Sequence, residues 1–217
     1  MSQIEESAVK GFFGDSYPVV ARFADLLADQ GVRRGLIGPR EVPILWERHL
    51  LNSATVVPFL PASGRVIDIG SGAGLPGVVI AAMCPHLDVV LVESMERRTD
   101  WLSEVVAELA LSNASVRRAR AEELHGKLRA EVVTARAVAP LDRLVRWAMP
   151  LLGVGGTLLA LKGASAQAEV QTAAARIRSL GGAAAEVLRA STIAGADGTT
   201  IVRVVRGSVR SPRGGER

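Results

Sequence analysis

Residues 65 to 82 read RVIDIGSGAGLPGVVIAA, a β-branched run that enters a glycine-rich turn and leaves it as an apolar helix. Glycines 70, 72 and 74 remove Cβ atoms from the turn, so a ligand can lie against bare main chain and the backbone can take positive φ. Gly72, Gly74 and Gly77 also spell G-x-G-x-x-G, and Glu93 follows about twenty residues on, where a carboxylate can accept ribose hydroxyls. Two ligand chemistries compete for such a turn. A dinucleotide needs free N–H groups at the helix start for its pyrophosphate, and Pro76 deletes one of them. A nucleoside ligand without phosphate, such as S-adenosylmethionine, loses less. Asp68, two residues before Gly70, is an acceptor suited to the cationic amino group of a methionine moiety, with Ser71 beside it in the turn. Ala121 and Glu122 follow a third strand, where main chain and carboxylate can face an adenine edge.

A second group of side chains offers cations and hydrogen-bond donors. Arg136 ends a predicted strand on the side of the sheet where ligands bind in open α/β folds. His49 and Asn52 share a helix face, with Arg48 adjacent. Lys162 stands near another strand terminus, placed for a phosphate or a base. Cys84 lies on the apolar run VVIAAMC, which suits packing rather than nucleophilic attack. His49, His86 and His125 are far apart, and no pair has metal-ligand spacing, so no metal is expected.

The elements needed to position these residues are legible as alternation. Strands are predicted at 65–69, 88–93, 115–120, 131–135, 156–161, 185–190 and 199–205, and helices at 75–83, 96–111, 140–151 and 164–180. That order implies a doubly covered, mostly parallel sheet, with the last two strands, joined by a loop alone, pairing antiparallel at one edge. Ahead of it, residues 16–30 carry helical periodicity ending at Gly31, and a second helix starts near Pro39, with Pro43 a kink or the true start. The expected organisation is a helical cap over residues 1–60, a catalytic domain over 61–207, and a disordered basic tail over 208–217.

Composition narrows the function classes. The chain has 217 residues, 48% hydrophobic, enough for one large α/β domain with an appendage. Its most apolar stretch is broken by Pro85, His86 and Asp88, short of the roughly 20 residues a membrane helix needs. The acidic start MSQIEESAVK lacks the features of a secretory signal, so a cytoplasmic location is expected. Formal charge is +4, and all basic residues except Lys10, Lys127 and Lys162 are arginine. Guanidinium groups suit phosphate and base recognition, and the clusters Arg97-Arg98, Arg117-Arg118-Arg120 and Arg143 with Arg146 are candidates to track an RNA backbone.

The segments WERHLLNS, VIDIGSGAGLPG, VESMERRTDWL, RAEEL, TARAVAPL and LALKG, in this order between residues 45 and 163, resemble the glucose-inhibited division protein B family of bacterial ribosomal RNA methyltransferases. The resemblance implies a class I S-adenosylmethionine-dependent methyltransferase fold, Rossmann-like, with a seven-stranded mostly parallel sheet. It implies methylation of guanine N7 in the decoding-region loop of small-subunit (16S) ribosomal RNA. Cofactor contacts are implied at Gly70, Leu75, Ala121, Glu122 and Arg136, and a substrate face around Arg48, His49, Arg136 and Lys162. Asn52 departs from the aspartate common in the family, so no carboxylate acts there. Guanine N7 carries a lone pair and no proton, so alignment is the whole requirement; His49 is expected at the entrance without acid-base duty. No DPPY or NPPY run is present to polarise an exocyclic amine. The implied partner is ribosomal RNA or the small subunit; a monomer without metal or membrane is the separate expectation, and a methyltransferase of small molecules is the alternative.

Overall fold

The computed structural model describes residues 5–194 and 196–207, so the tail expected over 208–217 lies outside the described residues. Seven strands, β1 (Gly64–Ile69), β2 (Leu87–Glu93), β3 (Ala114–Arg118), β4 (Ala130–Arg136), β5 (Leu152–Lys162), β6 (Glu186–Ala190) and β7 (Thr199–Val205), form one sheet in the order β3-β2-β1-β4-β5-β7-β6. The first five are parallel, and β7 runs antiparallel between β5 and β6. The expected antiparallel pair is therefore present, with β7 inside the sheet and β6 at the edge. Strands β1 and β2 are buried on both faces, which explains their near-continuous Val, Ile and Leu runs.

The helices are α1 (Glu6–Phe13), α2 (Tyr17–Leu26), α3 (Asn52–Ala54), α4 (Gly77–Met83), α5 (Glu96–Glu108), α6 (Leu141–Ala148) and α7 (Ala166–Ser179). On α6, Leu141, Leu144, Val145 and Ala148 are buried, an i, i+3, i+4, i+7 stripe that packs on one sheet face beside Ala173 and Ile177 of α7. The other face carries α4, α5 and the cap, where Phe23, Leu27 and Leu51 join Trp101 and Leu102 in one apolar cluster. Burying a side chain of this size contributes about 1.5–3 kcal/mol, so these contacts hold the cap to the sheet.

Several boundaries depart from the sequence pattern for local reasons. α4 begins at Gly77 rather than 75, because Leu75 and Pro76 belong to the turn. α5 stops at Glu108, not 111, because Ala110 takes φ +50° and the Leu111 N–H reaches back to Val106 O at 3.0 Å; that stop uses a residue carrying no glycine signal. The cap's second segment starts at Pro39 as a 3-10 turn (Pro39–Ile44) that contains Pro43, then continues as a π-helical turn (Trp46–Leu51) into α3. α1 has no counterpart in the sequence reading. No helix among the described residues is long and apolar enough to cross a membrane.

Candidate active site

The site lies at the C-terminal ends of β1, β2, β4 and β5, where chain direction puts every strand-to-helix turn on one edge. Three adjoining cavities occupy it. The first, about 490 Å³, lies over the glycine turn between Gly70, Gly72, Leu75, Glu93 and Arg136, under the cap residues Leu36 to Gly38 and Glu41. The second, about 320 Å³, shares Gly70 and Glu93 with it and runs to Ala121, Glu122 and Trp147. The third, about 550 Å³, shares Arg136, Ala137 and Val138 with the first and runs to Asn52, Lys162 and Glu169.

The glycines of the turn are not equivalent. A Cβ on Gly70 would lie 2.8 Å from Val138, on Gly74 2.7 Å from Val78, and on Gly77 2.3 Å from Leu91. These three are required by packing. Gly70 and Gly72 both present main chain to the first cavity, and of the two only Gly72, at φ +55°, has nothing nearer than 3.7 Å to an added Cβ. The turn itself is fixed: Gly70 N–H and Ser71 N–H both donate to Val92 O, and Trp101 Nε1 donates to Ala73 O at 3.0 Å.

Asp68 corrects the sequence expectation. It is fully buried behind the turn and does not line the cavities; its Oδ2 accepts from Gly77 N–H and its Oδ1 from the Thr134 hydroxyl, both at 3.1 Å. Burial pushes its pKa up to about 6, although Ser71, Thr134, Gly77 and the Arg136 charge oppose the shift. A carboxyl so engaged braces the helix start against β1 and β4 instead of meeting a ligand's amino group. The same contact decides between dinucleotide and S-adenosylmethionine. With Pro76 lacking an N–H and the Gly77 N–H taken by Asp68, the start of α4 offers a pyrophosphate little.

Glu93 borders the first and second cavities. Its Oε1 accepts from Ser94 N–H at 2.8 Å and Met95 N–H at 3.0 Å, and its Oε2 from Gly72 N–H at 3.1 Å. A carboxylate has about four acceptor positions, so Oε2 retains one for a hydroxyl. Arg98 stands 3.5 Å from the same oxygen and lines the first cavity. An open main-chain turn, a carboxylate with a free acceptor position and an adjoining cavity that runs to Ala121, Glu122 and Trp147 are features that fit S-adenosylmethionine.

Arg136 joins the first and third cavities. Its Nη1 donates to Arg48 O at 3.2 Å and to Asn52 Oδ1 at 3.4 Å, and its Nη2 faces His49 Nδ1 at 3.0 Å. Burial lowers its pKa, with the Asp68 and Glu41 charges opposing; a guanidinium remains protonated regardless. Burial also lowers the His49 pKa, helped by the Arg136 and Arg48 charges and opposed by Glu41. Ala137, directly after Arg136, takes φ +55°, a costly conformation for a residue with a Cβ and one that concentrates at functional sites.

Of the remaining expected residues, Arg48 contributes its carbonyl while its side chain is exposed and borders none of the three cavities. Lys162 lines the third cavity but is engaged: Nζ donates to Ala139 O at 2.6 Å and pairs with Glu169 Oε2 at 2.7 Å. Burial would raise the Glu169 pKa, but Lys162, Ser165 and the Leu141 N–H outweigh it and hold the carboxyl below its usual range. The sequence reading did not single out Glu41, Trp147, Glu169 or the Leu36–Gly38 loop for the site. Only Trp147 had a local signal, Arg143 one helical turn before it, and the guanidinium does lie 5.4 Å from the ring centroid. Among the described residues, no group of three His, Cys, Asp or Glu is clustered to hold a metal.

Comparison with known proteins identifies the family and the fold. The family model described as rRNA small subunit methyltransferase G matches residues 17–193. A protein of that name from Thermobifida fusca is 53% identical over 201 residues, covering 93% of this chain and 85% of the relative. One from Streptomyces coelicolor is 50% identical, covering 93% and 84%. Among solved structures, NSun6 from Pyrococcus horikoshii superposes with TM-score 0.59 at 14% identity, covering 76% of this chain and 55% of that one. An rRNA methylase from Streptococcus thermophilus superposes with TM-score 0.52 at 14% identity, covering 72% and 94%. The structures show the class I methyltransferase fold, and the sequence matches make this chain a member of the rRNA small subunit methyltransferase G family.

Proposed function

We propose that the chain transfers the methyl group of S-adenosylmethionine to N7 of a guanine in small-subunit ribosomal RNA, by positioning alone. The observation that carries this reading is the shared wall of the first and third cavities: Arg136, Ala137 and Val138 border both. A ligand seated over Gly72 and a base seated beside Asn52 and Lys162 meet at that wall. When bound, S-adenosylmethionine supplies a methyl group on a cationic sulfonium, ready for transfer to a lone pair.

The chain's own residues hold and orient. Glu93 accepts from the ribose, and Ala121, Glu122 and Trp147 flank the adenine. Arg136 is held by three contacts and offers its remaining N–H groups to the base, where O6 is the acceptor neighbouring N7. The nearest ionisable groups serve no proton transfer. His49 faces Arg136, Lys162 is paired with Glu169, and Asp68 is sealed behind the turn. N7 requires none, because its lone pair is free at neutral pH. Exposed Arg97, Arg117, Arg120 and Arg146 add cations that an RNA backbone can engage, which makes binding salt-dependent.

The test is incubation of purified protein with methyl-labelled S-adenosylmethionine and under-methylated small subunits, alongside a pool of small metabolites. Label in the RNA, with thermal stabilisation by S-adenosylmethionine and not by NAD, is the expected result. Label confined to a metabolite, or stabilisation by NAD alone, would replace the reading.

A further inference from the structure

Glu41 enters the site from the cap, on the 3-10 turn Pro39–Ile44, and lines the first cavity. Its Oε2 lies 2.5 Å from His49 Nε2, while Nδ1 of the same ring lies 3.0 Å from Arg136 Nη2. A guanidinium has donors only. Nδ1 must therefore be the lone-pair nitrogen, and the single proton of the uncharged ring sits on Nε2, the nitrogen beside the carboxylate, in a charge contact whose angle falls short of a hydrogen bond. The opposite tautomer would set an N–H against the guanidinium and a lone pair against Glu41, reversing both contacts at once.

We propose that Glu41 is a positioning residue that holds His49 in its Nε2–H tautomer and, through the ring, fixes the Arg136 guanidinium at the wall between the cofactor and base cavities. The assignment rests on the methyltransferase reading, because Arg136 is where that reaction is aligned. It gives the cap a part in catalysis: the loop that covers the cofactor cavity also sets the register of the residue on its far side. The His49 side chain is only 12% exposed, so water competes weakly for either ring nitrogen.

The groups facing the ring are few. Glu41 approaches from the cap turn, the Arg48 charge acts from the ring's own segment, and Arg136 approaches from the end of β4, where it also donates to Asn52. Asp68 on β1 acts on Arg136 through charge, and Thr199 on β7 accepts from the Asn52 amide at 2.7 Å. Adding a proton at Nδ1 would set an imidazolium against Arg136 and release it. Turnover therefore falls on the acid side through loss of alignment, with no proton transferred in the chemical step.

The experiment is 15N NMR of the full chain labelled in histidine, combined with methyl transfer to small subunits. The His49 signals are those lost in His49→Asn. In the wild type at pH 7.5, Nδ1 is expected unprotonated and Nε2 protonated. In Glu41→Ala the ring populates both tautomers and titrates at lower pH, and kcat falls about tenfold to a hundredfold. The loss falls more on kcat than on the KM for S-adenosylmethionine, since Glu93 and the adenine pocket lie apart from Glu41. Glu41→Gln, whose amide oxygen can occupy the same place beside Nε2–H, recovers most of the lost kcat. A wild-type ring carrying its proton on Nδ1, a ring unchanged in Glu41→Ala, or equal losses in the Ala and Gln variants would overturn the assignment. The NMR arm needs no RNA: a correct ring in a chain that methylates no RNA refutes the functional reading, and an active chain with the wrong ring refutes the role of Glu41.

Discussion

Replacing Asp68 by Asn separates a bracing carboxyl from a ligand-binding one. The side chain is fully buried, and its pKa moves from 3.8 to about 6, chiefly through burial. That shift corresponds to about 3 kcal/mol of preference for the neutral form in the folded protein. Because the folded pKa lies above the unfolded one, the folded state binds the extra proton between pH 4 and 6. The associated stability is fully present below pH 4 and is lost as pH rises through 6. An asparagine keeps an acceptor for Gly77 N–H and presents an amide to Thr134 Oγ1, without a charge to desolvate. Urea denaturation of both proteins from pH 4 to 8 should show the wild type losing about 3 kcal/mol relative to Asp68→Asn across this window. The variant should bind S-adenosylmethionine within about threefold of the wild type, because Asp68 does not face the cavity. A stability difference that moves the other way with pH would mean the carboxylate is stabilised as an anion. A hundredfold loss of cofactor affinity in a folded variant would restore it as a ligand contact.

Three further substitutions test neighbouring steps. Glu93→Ala removes a charged acceptor for the ribose and should weaken S-adenosylmethionine binding about 10- to 100-fold by calorimetry; unchanged affinity would place the ribose elsewhere. Gly77→Ala puts a Cβ 2.3 Å from Leu91 and 2.7 Å from Asp68 Oδ2, both buried. It should cost about 2–3 kcal/mol in urea denaturation, and a loss under about 0.5 kcal/mol would show that the turn can shift. Arg136→Ala should lower kcat by more than about tenfold while leaving circular dichroism unchanged, and full turnover would remove Arg136 from the alignment.

The fold was legible where local pattern and burial agree. Strands buried on both faces announce themselves as apolar runs, and α6 shows its stripe of Leu141, Leu144, Val145 and Ala148. The misses have physical causes. The α5 stop depends on an alanine adopting positive φ at Ala110, which composition does not advertise. Gly72, Glu93 and Arg136 could be placed along the cavity edge from sequence because strand ends and glycine turns are local signatures. Asp68 was misread because its position on the strand was visible while the Gly77 and Thr134 donors that occupy it were not; Thr134 is 66 residues away. Glu41 was invisible for the same reason: its significance arises only when the cap folds over His49 and Arg136. An acid limb in the pH profile does not by itself make His49 a general base, since loss of the Arg136 contact produces the same limb.

The most direct test is nucleoside analysis of small-subunit RNA labelled by this protein from methyl-labelled S-adenosylmethionine. All label should appear as 7-methylguanosine from one position, and Arg136→Ala should reduce its amount without changing the product. Label on an exocyclic amine or a ring carbon would contradict transfer by alignment, because those atoms require a proton to be removed.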